Sequence, residues 1–257
     1  MKAKGIVFLA LIFAATACKK DALKTADTSD VASDESSVKA TWSSTDKWGR
    51  WSNGGYYVGN NVWGANPGPQ SIWANSYSNW GVWCNHTGSG IKSYPNSSRY
   101  VGRTLSSLSS LRSSFSATTP SGGAWASAYD IWDNNKRYET MLWMNYTGSA
   151  DGCGNVRPIS YSWSSSGCAV PAYRNVNVGG HTWNVFRGAN GSITVFSFLR
   201  TSKTNSATID ILAIQRWIQA RGWFGNITMG DVQYGFEIST TNGGANFTSN
   251  SYSVSFN

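Results

Sequence analysis

Tyr138-Glu139-Thr140-Met141-Leu142-Trp143-Met144 reads as a β-strand. In an extended chain alternate side chains point to opposite faces, so Glu139, Met141 and Trp143 share one face and Thr140, Leu142 and Met144 the other. A second stretch, Val232-Gln233-Tyr234-Gly235-Phe236-Glu237-Ile238, also carries a glutamate mid-way. Glu139 and Glu237 are the only two glutamates beyond the first 45 residues. Around these two runs lie further short apolar segments separated by Gly, Asn, Ser and Pro. The candidates are 55–62, 71–83, 91–94, 124–131, 175–178, 182–187, 193–200 and 252–256. Many short strands with turn residues between them indicate an all-β sandwich or barrel. One stretch departs from this. Thr208–Arg221 carries Ile211, Ile214 and Ile218 at helical spacing, with Asp210 early, Arg221 late and Gly222 behind it, which predicts one short helix on the outside of the sheets.

The N-terminal part has a different texture. Met1-Lys2-Ala3-Lys4 is basic, and Gly5–Ala17 is apolar but, at about 13 residues, too short to span a bilayer. Residues 1–17 therefore read as a signal peptide. Cys18 directly follows Ala15-Thr16-Ala17, which resembles the lipobox of bacterial lipoproteins, with Ala15 where that motif usually has Leu. The expectation is a lipidated Cys18 on an exported protein held at the outer membrane or cell surface. The alternative is an ordinary signal peptide cleaved nearby. Residues 18–45, rich in Lys, Asp, Ser, Thr and Ala, read as a disordered tether with a reach of about 25–30 Å. The folded domain is expected over 46–257.

Composition excludes several classes of function. The formal charge is +8, about +6 without Lys2 and Lys4, and the basic residues are scattered rather than clustered. A nucleic-acid binder would need a basic stripe. Only two histidines are present, and Cys84, Cys153 and Cys168 lack metal-ligand spacing, so neither a zinc site nor a Ser-His-Asp site is expected. An exported compartment permits a disulfide. Cys153 and Cys168 would close a modest Ser/Gly-rich loop, although a bridge from Cys84 to either remains open. The 14 tryptophans and 12 tyrosines exceed the needs of a core this size, so some should line an exposed groove.

A carboxylate beside tryptophan in an exported, aromatic-rich β-protein suggests sugar chemistry. Two carboxyl groups on facing strands are the minimum equipment for cutting a glycosidic bond, one protonating the leaving oxygen and the other supporting the oxocarbenium-like centre. An ionised Glu139 nearby would raise the pKa of Glu237 and keep it protonated near neutral pH.

The motifs Asn60-Asn61-Val62-Trp63-Gly64, Lys92-Ser93-Tyr94-Pro95-Asn96, Tyr129-Asp130-Ile131-Trp132, Glu139-Thr140-Met141-Leu142-Trp143, Gly180-His181-Thr182-Trp183, Phe196-Ser197-Phe198 and Gly235-Phe236-Glu237 together resemble glycoside hydrolase family 12. They occur in the family's order from about residue 57 to the C-terminus. The resemblance implies a β-jelly roll of two curved antiparallel sheets with a glucan in a concave groove. It implies retaining cleavage of internal β-1,4 bonds in cellulose-type glucan or xyloglucan. Glu139 is implied as nucleophile, Glu237 as acid/base, and Asp130 as the aspartate bonding near the nucleophile. Asn61 and Trp63 are implied to contact glucose on the non-reducing side of the cut, and Met141 and Trp143 to complete the floor. No metal or organic cofactor is implied, and the expected partner of a monomeric enzyme is the polysaccharide. The rival readings are a non-catalytic glycan-binding lipoprotein and a β-1,4-xylanase. His181, beside a glycine pair, reads as a turn residue.

Overall fold

The computed structural model describes residues 40–257. The expected signal peptide, the lipidated Cys18 and most of the tether lie outside the described residues. Fifteen strands are present: β1 (Trp42–Ser44), β2 (Arg50–Asn53), β3 (Tyr56–Gly59), β4 (Gln70–Ala74), β5 (Trp80–Cys84), β6 (Asn96–Tyr100), β7 (Leu111–Thr118), β8 (Ala124–Asp133), β9 (Tyr138–Tyr146), β10 (Tyr173–Val178), β11 (His181–Asn190), β12 (Ile193–Arg200), β13 (Ser206–Asp210), β14 (Met229–Thr240) and β15 (Ala245–Phe256). Among the described residues a single α-helix, α1, spans Ile211–Gln219, beside one 3-10 turn at Leu105–Ser107. One sheet has six strands in the order β1-β4-β5-β15-β7-β13, and the other has nine in the order β10-β11-β12-β9-β8-β14-β6-β3-β2.

The two-sheet, nearly all-β architecture matches the expected jelly roll, with differences that have local causes. Every strand pair is antiparallel except β9 with β12, which run parallel, with Glu139 opposite Val195. The expected strand 71–83 is a hairpin, because Asn75 N–H bonds the Asn79 carbonyl at 2.9 Å and Ser76 Oγ accepts from Asn79 N–H at 3.0 Å. Residues 91–94 form only an isolated bridge at Ser93. β1 lies inside the stretch expected to be tether, since Trp42–Ser44 pairs with Ile72–Ala74. The helix starts three residues later than its periodicity suggests, because Thr208 and Ile209 belong to β13 and Asp210 is the N-cap, its Oδ1 accepting from Ala213 N–H at 3.0 Å. His181 opens β11 after the Gly179-Gly180 turn rather than lying in that turn.

Between the sheets packs the main core, which includes Trp80, Phe115, Tyr129, Leu142, Trp183, Phe198, Tyr234, Phe236, Phe247 and Tyr252. Strand alternation explains which residues face it. On β9 Leu142 and Met144 point inward to this core, while Met141 and Trp143 belong to a smaller cluster on the opposite face with Ala126, Ala128 and Phe186. The α1 side chains Ile211, Ile214 and Ile218 complete the same main core. Cys153 and Cys168 are bridged, with their Cα atoms 4.6 Å apart. Cys84 is free and buried, and burial pushes its thiol up to about 12.

The turn that joins β8 to β9 is held by one buried carboxylate. Asp133 Oδ1 accepts from Arg137 N–H at 2.6 Å and Tyr138 N–H at 2.7 Å, and Oδ2 accepts from Asn135 N–H at 3.1 Å. Elsewhere two glycines permit close crossings. A Cβ on Gly235 would lie 2.1 Å from the Pro95 carbonyl, and one on Gly64 would lie 2.1 Å from the Ile91 carbonyl. The first crossing ties Pro95 and Asn96 against the strand that carries Glu237, and the second ties the loop of Trp63 against Ile91 and Lys92. Gly235→Ala should therefore cost about 3 kcal/mol or more, read as a drop in the urea midpoint. An unchanged midpoint would mean that β6 yields without strain.

Candidate active site

Three carboxyl groups meet on the outer face of the nine-stranded sheet, where β8 lies between β9 and β14. Pairing sets Trp132 opposite Glu139 and Asp130 opposite Met141, so Asp130 and Glu139 are diagonal neighbours on one face. On the other side of β8, Asp130 is opposite Gln233 and Ala126 opposite Glu237. The small side chains of Ala126 and Ala128 leave space above β8 between the carboxyl groups.

Asn61, Trp63, Asp130, Glu139, Met141 and Glu237 line one cleft. Six of the seven catalytic and binding residues expected from sequence are thus together. Trp143 is the seventh. It is 4% exposed, packs edge-on against Tyr146 and lines the adjoining depression with Glu237, so it underlies the groove rather than forming an open platform. Trp63, by contrast, is 50% exposed. Asn61 has a left-handed backbone, with φ of 44°, and its Nδ2 donates to the Tyr94 carbonyl at 3.1 Å. Asparagine tolerates this conformation better than most residues.

Other cleft residues carry no assignment from sequence: Tyr94, Trp132, Ile159, Asn190 and Gln233. Gln233 and Trp132 were within reach of alternation, since Gln233 precedes Glu237 by four positions and Trp132 follows Asp130 by two. Ile159 and Asn190 arrive from a distant loop and a strand end, and no local pattern marks them. Trp132 Nε1 donates to Gln233 Oε1 at 3.3 Å, joining β8 to β14 across the floor.

The cleft continues in both directions. On one side a depression lined by Trp48, Arg50, Tyr57 and Asn96 shares Asn61 and Gln233 with it. On the other, a depression lined by Trp143, Asn155, Arg157 and Trp163 shares Ile91 and Glu237. The carboxyl groups therefore sit mid-way along a trough open at both ends.

Burial governs their protonation. Desolvation raises Glu139 to about 7, opposed by its hydrogen bond with Asp130 and by the charge of Lys136. Desolvation, then repulsion from Glu139, raises Glu237 to about 8. Asp130 is pushed well above the usual carboxylate range, first by desolvation and then by the charges of Glu139 and Glu237. Its Oδ1 is buried and meets no N–H or O–H donor. An ionised Asp130 would thus be an unpaired buried charge, whereas a protonated Asp130 is a donor with Glu139 as its acceptor. Lys136, which bonds Asp231 Oδ2 at 2.7 Å, is the nearby cation that favours negative charge on Glu139.

A buried polar chain backs the Asn61–Trp63 wall. His86 Nδ1 accepts from Gly68 N–H at 3.1 Å, which leaves Nε2 to donate to Gln70 Oε1 at 2.9 Å. Ser93 Oγ also donates to Gln70 Oε1 at 2.7 Å, and Gln70 Nε2 donates to the Asn60 carbonyl at 2.8 Å. Trp63 and Gly64 N–H then bond the Lys92 carbonyl at 3.1 and 2.9 Å.

Comparison with known proteins places this arrangement. The model of glycosyl hydrolase family 12 matches residues 54–257. The chain belongs to that family. It is similar to the xyloglucan-specific endo-beta-1,4-glucanase A of Emericella nidulans, 33% identical over 226 residues, covering 81% of this chain and 89% of the relative. It is also similar to the xyloglucanase domain of NopAA, a type three effector from Sinorhizobium fredii solved with cellobiose. There the identity is 51% and the TM-score 0.84, covering 85% of this chain and all of that domain. A family 12 xyloglucanase from Bacillus licheniformis is 26% identical with a TM-score of 0.69, covering 84% of this chain and all of that one.

The clustered acids make stability depend on pH. Their folded pKa values lie above the unfolded ones, so the stabilisation is complete below about pH 4 and is lost as pH rises through the folded values near 7 and 8. Glu237→Gln removes the buried charge. It should raise the melting temperature at pH 9 by an amount corresponding to a few kcal/mol, and leave it nearly unchanged at pH 4. An equal effect at both pH values would disprove this origin.

Proposed function

We propose that this family 12 glycoside hydrolase is a retaining endo-β-1,4-glucanase of the xyloglucan-cutting type. The observation that carries the reading is a trough that continues in both directions past a central cleft lined by Glu139 and Glu237. An open trough admits a chain anywhere along its length, so cleavage is internal. The family match supports β-1,4-glucan as the substrate class, and the relatives named for xyloglucan support the branched polymer as the preferred one.

The chemistry follows from the unequal proton affinities. With one proton shared by the pair, Glu237 holds it and Glu139 is the anion. Glu139 attacks the anomeric carbon as the glycosidic C–O bond breaks, and Glu237 gives its proton to the departing oxygen. Glu237, having given up its proton, is now a carboxylate, and covalent capture of Glu139 has removed the charge that opposed its ionisation, so it stays ionised until it takes a proton from the attacking water. The water oxygen attacks the same carbon, releasing Glu139 with overall retention. Protonated Asp130 is a positioning residue that steadies Glu139 in its ionised form. Asn61 and Trp63 hold glucose on the non-reducing side, and Met141 and Trp143 form the floor.

The protein is exported, lipidated at Cys18 and held near the cell surface as a monomer that partners only with polysaccharide. The basic start, the short apolar run and the position of Cys18 support this. Cys18→Ser should release the protein from the membrane fraction without changing its specific activity. Retention after that change would overturn the lipid anchor.

Reducing-sugar release from xyloglucan, carboxymethylcellulose, mixed-linkage glucan and xylan tests the activity, with xyloglucan expected to be the best substrate. Glu237→Gln should lower kcat by about 10²- to 10⁴-fold, and Glu139→Gln should abolish turnover. Wild-type kcat/KM should follow a bell centred near neutral pH. Asp130→Ala removes the donor that lowers the Glu139 pKa, so it should shift the acidic limb to higher pH, whereas Asp130→Asn keeps a donor and should shift it less. Binding of these polymers without any release would overturn the hydrolase reading.

A further inference from the structure

The outer face of the six-stranded sheet lies on the opposite side of the sandwich from the trough, and it carries two tryptophans of its own. On β4 and β5 the inward side chains are Ile72, Ala74, Trp80 and Val82, all core residues. Trp73 and Trp83 therefore point outward. Pairing sets Trp73 opposite Gly81 and Ser71 opposite Trp83, which makes the two indoles diagonal neighbours on one surface. Each indole covers a glycine. A Cβ on Gly81 would come within 2.8 Å of Trp73 Cζ2, and one on Gly244 would meet three Trp83 ring atoms at 3.1–3.3 Å. Trp83 is 39% exposed, so beyond the glycine it covers part of its ring is open to solvent.

The surroundings carry little charge and several hydrogen-bonding groups. Asn246 and Thr248 lie across β5 from Trp83 and Gly81. Ser43 lies across from Trp73 on β1. A depression beside Trp83 is lined by Ser71, Gln70, Thr45, Val62 and a single cation, Lys47. Aromatic surface ringed by hydroxyl and amide groups suits a neutral polyol, whose ring C–H faces stack on indole while its hydroxyl groups find donors and acceptors.

We propose that Trp73 and Trp83 form a second glucan-binding site, separate from the trough, which holds another stretch of the polymer being cut. This rests on the glucanase reading above for the identity of the polymer. A molecule gripping one chain at two places gains effective concentration at the second, so retention on long polymer rises while action on short oligosaccharide does not.

The test uses affinity electrophoresis of the full chain carrying Glu139→Gln, in native gels with and without soluble xyloglucan. Adding Trp73→Ala and Trp83→Ala should weaken polymer retention about tenfold, and Asn246→Lys, which spares both indoles, should also weaken it. In the background with Glu139 intact, kcat/KM on a cello-oligosaccharide of four glucose units should stay within about twofold. Polymer retention unchanged in all these variants would overturn the second site. So would a shift from dimer to monomer on size exclusion, which would assign the face to self-association. Hydrolysis of the short oligosaccharide by the wild type reports on the glucanase reading independently of either result.

Discussion

One buried carboxylate, that of Asp133, sets the geometry on which the site depends. Its two oxygens collect three backbone N–H groups from the β8–β9 turn. Those bonds fix which residue of β9 stands opposite which residue of β8. A slip of one residue would turn Glu139, Met141 and Trp143 into the core and bring Thr140, Leu142 and Met144 out to the sugar. The register then determines that Asp130 lies diagonal to Glu139, and β14 brings Glu237 from the other side of β8. The unequal proton affinities of the three acids are consequences of this placement, since all three are desolvated, Glu237 also feels the charge of Glu139, and Asp130 feels the charges of both.

A second polar system supports the wall of the trough. The chain from His86 through Gln70 to Asn60 satisfies buried donors and acceptors behind Asn61 and Trp63. Burial and the nearby Lys92 charge lower the His86 pKa, which keeps the ring neutral and able to accept from Gly68. A protonated ring would have no acceptor to offer, so the network holds one tautomer. Such satisfied networks confer a unique geometry where apolar packing would allow sliding.

Much of this was legible in the sequence, for identifiable reasons. β9 and β14 alternate cleanly, so the faces of Glu139 and Glu237 followed from period two. β6 and β7 lack a clear alternation because serine occupies inward positions: Ser97 and Ser113 are buried where period two would lead one to expect an apolar residue. Ser113 Oγ instead donates to the Ser253 carbonyl at 2.7 Å. The helix begins later than the stretch from Thr208 suggests because Thr208 and Ile209 pair with Ser114 and Ser113, which makes them strand. The depth of Trp143 depends on Tyr146 and on segments far along the chain, which no local pattern reports.

The single parallel pair, β9 with β12, bears on how the chain reaches this state. Glu139 and Val195 are register partners across 56 positions of sequence. A parallel neighbour cannot come from a tight turn, so one edge of β9 stays unpaired until β10, β11 and the bridged Cys153–Cys168 loop have been accommodated. Closure of such long-range pairs limits folding rate and leaves strand edges open meanwhile. One edge of the strand that bears Glu139 is thus closed by residues far along the chain, and the segment between β9 and β12 supplies Ile159 and Asn190 to the cleft beside it.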